Sequence, residues 1–253
     1  MNGKSFFVDL TLCTACRGCQ VACKQWKDLP AEQTRNVGSH QNPQDLSAHT
    51  LKLVRFKEVR DQKGKLQWNF FPEQCRHCLE PPCKYMFNMY KPNAVTHDSV
   101  TGAVVYNASV TLDKNVDLAP DQVCPYNVPR KNEETGQWTK CDMCIDRVQQ
   151  GMKPACVTSC PTGTMNFGDR DAMLELAKKR LEEVKKTYPD AFLADPEDVR
   201  VIYLCQSDAD DYASHVVAQA GHKQAILAQA RPAAQTRRQF LTGQFRFGNR
   251  RQG

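Results

Sequence analysis

Thirteen of the 253 residues are cysteine, and most stand two or three places from another. The first four, Cys13, Cys16, Cys19 and Cys23, lie in the stretch Cys-Thr-Ala-Cys-Arg-Gly-Cys-Gln-Val-Ala-Cys. In a C-x2-C-x2-C-x3-C run, three thiolates on one tight loop hold an iron–sulfur cube, and the fourth turns away to a different cluster. Such a run is incomplete by itself. It needs one distant cysteine to close its own cluster and three more to close the other. The remaining candidates are Cys75, Cys78 and Cys83, then Cys124 before Pro125, then Cys141, Cys144, Cys156 and Cys160 before Pro161.

In two-cluster ferredoxins the last cysteine of one run ligates the cluster of the other run. Applied here, Cys13, Cys16 and Cys19 take Cys160 as their fourth ligand. Cys23 then completes Cys141, Cys144 and Cys156. In the middle of the chain, Cys75, Cys78 and Cys83 take Cys124. The reciprocal middle cluster needs cysteines at positions 87, 114, 117 and 120, where the chain has Phe87, Lys114, Asp117 and Pro120. All four ligands of that site are missing together, while all four of its sister are present. The expectation is three [4Fe–4S] clusters on twelve cysteines, with one site lost and Cys205 left over as an inert buried thiol in an apolar strand.

Two rival chemistries are weaker. Disulfide scaffolds belong to short secreted chains, and these cysteines sit too close together in loops. Paired C-x2-C spacings also make zinc sites, but the first run is not a zinc pattern. His77, inside the Cys75–Cys78 loop, is read as a supporting or loop residue. Arg17, Arg76 and Lys84 stand beside ligands and are read as solvated charges, with cluster tuning or partner docking as the alternative role. His97 and His215 are isolated and read as structural or solvated. No Ser–His–Asp set, paired carboxylates or phosphate loop stands out, so no catalytic residue is expected.

The elements that must position these ligands are short. Residues 5–10 read as a strand leading into the first loop. Residues 24–50 are polar and loop-like, suited to lying over a partner. Residues 51–59 alternate apolar and charged, and 66–71 run back after a turn, which predicts a β-hairpin. Val104–Asn107 and Val199–Leu204 are strands. The spacing of Met173, Leu174, Ala177, Leu181 and Val184 predicts a helix over 170–187. Residues 209–230, rich in Ala and Gln, are expected to be helical. The small residues Ala15, Gly18 and Ala22 suit loops whose N–H groups point at sulfur, and Gly163 suits a sharp turn behind Cys160. The expected class is α+β: two bacterial-ferredoxin-like modules, the second inserted in the first. The outer module is 1–24 with 132–168, the hairpin insertion 25–69, and the inner module 70–131. A helix and strand follow at 169–205, then a helical extension and basic tail at 206–253.

The net charge of +6 resides in that tail: residues 231–253 carry six arginines and no acid, leaving 1–230 neutral. Nucleic acid is therefore an unsuitable partner. The Thr-Arg-Arg-Gln-Phe-Leu stretch at 236–241 has a twin-arginine look but no apolar run behind it. No signal peptide is expected at the start, and no apolar stretch is long enough for a membrane helix.

Nested runs of this order resemble the iron–sulfur electron-transfer subunits of molybdenum and tungsten bis-pterin oxidoreductases, such as dimethyl sulfoxide reductase, nitrate reductase and formate dehydrogenase. The chain is most similar, over about residues 5–205, to the small subunits of periplasmic formate dehydrogenases of sulfate-reducing bacteria. Residues 13–26, 75–83, 124–131, 140–147 and 154–163 carry the likeness. The resemblance implies a large catalytic subunit holding a tungsten or molybdenum bis-pterin guanine dinucleotide and oxidising formate. It implies that this chain relays electrons to an external acceptor, a multihaem c-type cytochrome, or serves another enzyme of the family (a transhydroxylase or sulfur-compound reductase). It also implies a periplasmic site reached by co-export with the large subunit, with the cytoplasm as the alternative.

Overall fold

The computed structural model describes residues 3–60, 64–113, 116, 118–218 and 221–230. Strand β1 (Lys4–Asp9) passes through a 3-10 turn (Leu10–Leu12) into helix α1 (Gly18–Trp26). After an irregular segment comes the hairpin of β2 (Leu53–Arg60) and β3 (Leu66–Glu73). Helix α2 (Pro82–Tyr90) precedes the small hairpin of β4 (Val95–His97) and β5 (Val104–Tyr106). Then follow α3 (Pro120–Val123), the paired β6 (Arg130–Lys131) and β7 (Trp138–Thr139), α4 (Ile145–Val148) and α5 (Ala155–Thr158). Strand β8 (Met165–Asp169) runs directly into α6 (Arg170–Lys185), and β9 (Phe192–Ala194), β10 (Val201–Cys205) and α7 (His222–Ala230) complete the α+β fold.

A four-stranded sheet, in the order β8-β1-β10-β9, ties the start of the chain to its later half. β1 is antiparallel to β8 and parallel to β10. Side chains alternate across a strand, and here both faces are covered. Phe6, Val8, Val201, Tyr203 and Cys205 face the cysteine-bearing body. Phe7, Ile202 and Leu204 face Ala177 and Val184 of α6. That double burial is why β1 and β10 read as continuous apolar runs. The apolar stripe of α6, with Asp171 in its first turn and Lys185 in its last, suits the helix dipole.

The predicted hairpin, the strands at 5–10 and 199–204 and the helix over 170–187 are all present, with ends shifted by a residue or two. The hairpin turn at 61–63 and the tail 231–253, including the paired arginines, lie outside the described residues. Residues 209–230 are not one helix. A 3-10 turn at Ala209–Asp211 is capped by the Asp208 side chain, which accepts from the Asp210 N–H. Tyr212 and Val216 are then buried against the sheet side of the core, and helix resumes only after Gly221, at φ +79°. Tertiary burial overrides the helix propensity of the Ala-rich sequence. The segment 24–50 is irregular after Trp26, as expected, and its second half packs on its own chain. Asp45 binds both Arg55 and Arg130, Leu46 enters the core, and the Thr139 hydroxyl donates to the Ala48 carbonyl at 3.2 Å.

Candidate metal centres

Three C-x2-C turns share one backbone device. The residue before the second cysteine is left-handed in each: Ala15 at φ 53°, His77 at 46° and Met143 at 66°. None is glycine, so each holds strain of about 1–3 kcal/mol. The conformation turns the N–H back onto the first cysteine. His77 N–H donates to Cys75 Sγ at 3.4 Å, and Met143 N–H to Cys141 Sγ at 3.5 Å. The Ala15 N–H makes the same bond to Cys13. Amides gathered on a thiolate in this way form a small anion-binding nest.

Gly18 opens α1 where the chain comes close to α5. A Cβ there would sit 3.2 Å from the Ser159 carbonyl and 3.6 Å from Cys16 Sγ. The absence of a side chain lets the loop from Cys13 to Cys19 lie against the end of α5, beside Cys160. Cys13, Cys16, Cys19 and Cys160 line one cavity, walled by Val54, Pro72 and Met165. Cys19 is buried, Cys13 and Cys160 are half-buried, and Cys16 is exposed. Burial pushes the Cys13 thiol up to about 11. Burial also raises Cys19, opposed by Lys52 and reinforced by Cys160 and Cys16. Cys160 moves down. Its partial burial is outweighed by N–H groups of Met165, Thr162 and Thr164 and by the Thr162 hydroxyl. Gly163, at φ 73° with open space around it, makes the turn that brings those donors round.

The second set, Cys23, Cys141, Cys144 and Cys156, is wholly buried. Burial lifts Cys23 to about 12, with Cys144 adding. It lifts Cys156 to about 12 as well, with Lys52 opposing and Cys23 and Cys144 adding. The third set, Cys75, Cys78, Cys83 and Cys124, is also buried. Cys83 rises to about 11 by burial, opposed by Lys140 and reinforced by Cys75. Cys124 rises to about 12 by burial, with Cys83 and Cys75 adding. Cys78 shares the Cys75 loop and bridges to Val199.

The sets follow one another in space. Burial first, then Lys52 and its own set, govern Cys156, and Cys19 of the first set also acts on it. Burial and Cys23 govern Cys141, and Cys75 of the third set comes next. The second set therefore stands between the other two. Among the described residues no three Cys, His, Asp or Glu side chains converge on a single metal ion. Four thiols around a cavity, with amide donors on sulfur, instead fit a [4Fe–4S] cube. Thiols raised this far must lose protons to bind iron, so loading releases protons.

One ligand position of the expected fourth site holds an aromatic plug. Phe87 is 2% exposed, its ring 4.9 Å from Tyr106 and 5.2 Å from Trp138. Val95, Val123 and Ile226 share that core, and Pro120 opens α3. Lys114 and Asp117 lie outside the described residues.

Some side chains keep their sequence reading, such as His77 and Cys205, and others differ. Arg76 is not solvated. It is 2% exposed, its guanidinium lying 4.9 Å from the Tyr126 ring and 4.5 Å from the Tyr203 ring. It donates to the carbonyls of Val216 and Ala194, each at 3.0 Å. Arg17 is half-buried over the Phe56 ring at 5.0 Å, and Lys84 is half-buried. His77 is a buried support, its Nδ1 accepting from the Val104 N–H at 3.0 Å. Burial, with Lys140 next, holds it neutral. His97 and His215 are half-buried, and burial lowers both. Cys205 is fully buried, and burial lifts it to about 12. Lys52 falls among the charged positions of the alternating stretch 51–59. The strand itself starts at Leu53, and Lys52 is 2% exposed. Lys140, beside Cys141, is 6% exposed. Its place immediately before a ligand is the one sequence signal that marks it.

Comparisons with known proteins agree with this chemistry. A family model described as a 4Fe-4S dicluster domain matches residues 66–170. The sequence is 53% identical over 215 residues to the formate dehydrogenase subunit beta of Megalodesulfovibrio gigas, covering 85% of this chain and 99% of that one. It is 52% identical to the formate dehydrogenase 2 subunit beta (cytochrome c-553) of Nitratidesulfovibrio vulgaris, covering 83% of this chain and 96% of the other. It is 33% identical over 178 residues to a subunit of the anaerobic dimethyl sulfoxide reductase of Escherichia coli, covering 69% and 76%.

Proposed function

The protein belongs to the iron–sulfur beta subunits of formate dehydrogenase, and from that premise we propose which residues and partners carry its electron transfer. It is the electron-transfer subunit of that oxidoreductase. Cys13, Cys16, Cys19 and Cys160 hold the first cluster, Cys23, Cys141, Cys144 and Cys156 the second, and Cys75, Cys78, Cys83 and Cys124 the third. When bound, such clusters take up and release single electrons at potentials set by charge, hydrogen bonds and solvent. The chain contributes the cages, the amides on sulfur and the exclusion of water from the second and third sets. Its architecture is that of two ferredoxin-like modules, the inner (70–131) inserted in the outer (1–24 and 132–168). The inner module has lost one site and filled it with Phe87.

One observation carries this reading: Cys160 lines the same cavity as Cys13, Cys16 and Cys19, although 141 or more residues separate them. The exposure of Cys16 supports the first set as the end facing the catalytic subunit. That subunit would hold the tungsten or molybdenum bis-pterin and oxidise formate or reduce carbon dioxide. The acceptor beyond this chain would be a multihaem c-type cytochrome; the cytochrome c-553 in one relative's name supports a cytochrome partner but says nothing of its haem number. The complex would be periplasmic, the chain travelling out with its partner.

Service to a sulfur-compound reductase is the second reading, supported by the dimethyl sulfoxide reductase relative. The higher identity to formate dehydrogenase subunits favours the first. Co-purification of the native complex decides between them: a formate-oxidising large subunit is expected, and a reductase without formate activity would replace the first reading. Cys160→Ala is expected to lower iron from about twelve to about eight atoms per chain. Unchanged iron with all three EPR signals would show the pairing to be wrong.

A further inference from the structure

Two buried lysines occupy the junctions between the cysteine sets. Lys52 Nζ donates to the Pro72 carbonyl at 3.2 Å and to Gln74 Oε1 at 2.5 Å, and lies 3.9 Å from Met165 Sδ. Pro72 and Met165 both wall the cavity of the first set, and Gln74 precedes Cys75. Lys140 Nζ donates to the Cys141 carbonyl of the second set at 3.0 Å and to the Val104 carbonyl. The Val104 N–H in turn holds His77 in the third set's loop. The same ammonium lies 5.1 Å from the Tyr106 ring.

Neither ammonium forms an ion pair with a carboxylate among the described residues. An isolated buried cation is costly, and the oxygens bonded to these two belong to neutral carbonyls and an amide. The counter-charge is therefore the sulfur of the cages once iron has displaced the thiol protons. Met165, which Lys52 touches, packs in one core cluster with Cys19 of the first set and Cys156 of the second. Lys140 adjoins Cys141 and bonds its carbonyl, and Cys141 packs in one core cluster with all four cysteines of the third set. Lys52 thus faces sets one and two, and Lys140 faces sets two and three.

We propose that Lys52 and Lys140 are fixed junction cations, each raising the potentials of the two clusters that flank it and weakening the repulsion between neighbours when both are reduced. The inference rests on the ligand assignment proposed above. It names positioning charges, not catalytic residues. The second cluster, flanked by both lysines, receives the larger upward shift, because each buried cation acts on it through a low dielectric.

The test is an EPR-monitored redox titration of the intact complex bearing Lys52→Met or Lys140→Met, each beside its Arg counterpart. Lys52→Met should move two cluster signals to lower potential and leave one in place. Lys140→Met should do the same with a different bystander, and one signal should move in both. Arg variants should restore wild-type potentials. Unmoved signals in both Met variants, or equal shifts of all three in each, would overturn the proposal. If a Met variant loads less iron, its Arg counterpart decides. Full iron with normal potentials upholds the need for charge, and equal iron loss shows that shape is what matters. Iron content with wild-type lysines tests the ligand assignment separately, so failure of one is distinguishable from failure of the other.

Discussion

Ala15, His77 and Met143 share a backbone state that their residue types disfavour, and their common place in the cysteine turns explains it. Holding an amide on sulfur outweighs the local strain once a cluster is bound. Replacing Ala15 with Gly should therefore raise stability by up to about 1 kcal/mol in urea denaturation, with iron content unchanged; a net loss would mean the turn is not strained. Gly18→Ala should do the opposite. Its methyl would press on the Ser159 carbonyl and selectively weaken the first cluster's EPR signal. The cysteines themselves were legible because ligand spacing is local. Arg76 and Lys52 were not, because their burial depends on Tyr203, Val216 and Met165, more than a hundred residues away.

At the scale of elements, the aromatic plug and the loop before the hairpin carry the predictions. Phe87→Ala should cost about 3–5 kcal/mol, read as a lower thermal midpoint. On the proposed assignment Phe87 serves none of the three cages, so they should keep their iron. Asp45 ties β2 to β6 through Arg55 and Arg130. Burial tends to raise its carboxyl, but its bonds to the two arginines hold it below the usual range. Its contribution is present above the unfolded carboxylate value of about 4 and is lost as pH falls through the lower folded value. For a half-exposed carboxylate that is under about 1 kcal/mol. Asp45→Asn should lower stability at neutral pH by under about 1 kcal/mol and flatten the acid limb, so that the variant and wild-type curves converge below about pH 4. Strands with both faces buried and the regular stripe of α6 were readable as patterns. The strand β4 was not, because Val95-Thr96-His97 offers a single aliphatic residue where β5 has the pair Val104-Val105, and the break before α7 follows from burial of Tyr212 and Val216.

Across the whole molecule, β1 and α1 join the start of the chain to β8, β10 and α5, and this closure is what delivers Cys160 to the first loop. The order of the sets, with Cys19 and Cys156 in one packed cluster and Cys75 and Cys141 in another, could not be read from spacing. It is a consequence of how the two halves of the sheet-bound body meet. Spacing anticipated that Cys160 would meet Cys13, Cys16 and Cys19, but gave no sign that Lys52 and Lys140 would be buried. The central claim, that twelve cysteines build three cages and Phe87 fills a fourth, is most directly tested by iron and acid-labile sulfide per chain in the purified complex, corrected for the large subunit's own content. Three [4Fe–4S] cages require about twelve of each. About sixteen of each, or about eight, would contradict that claim.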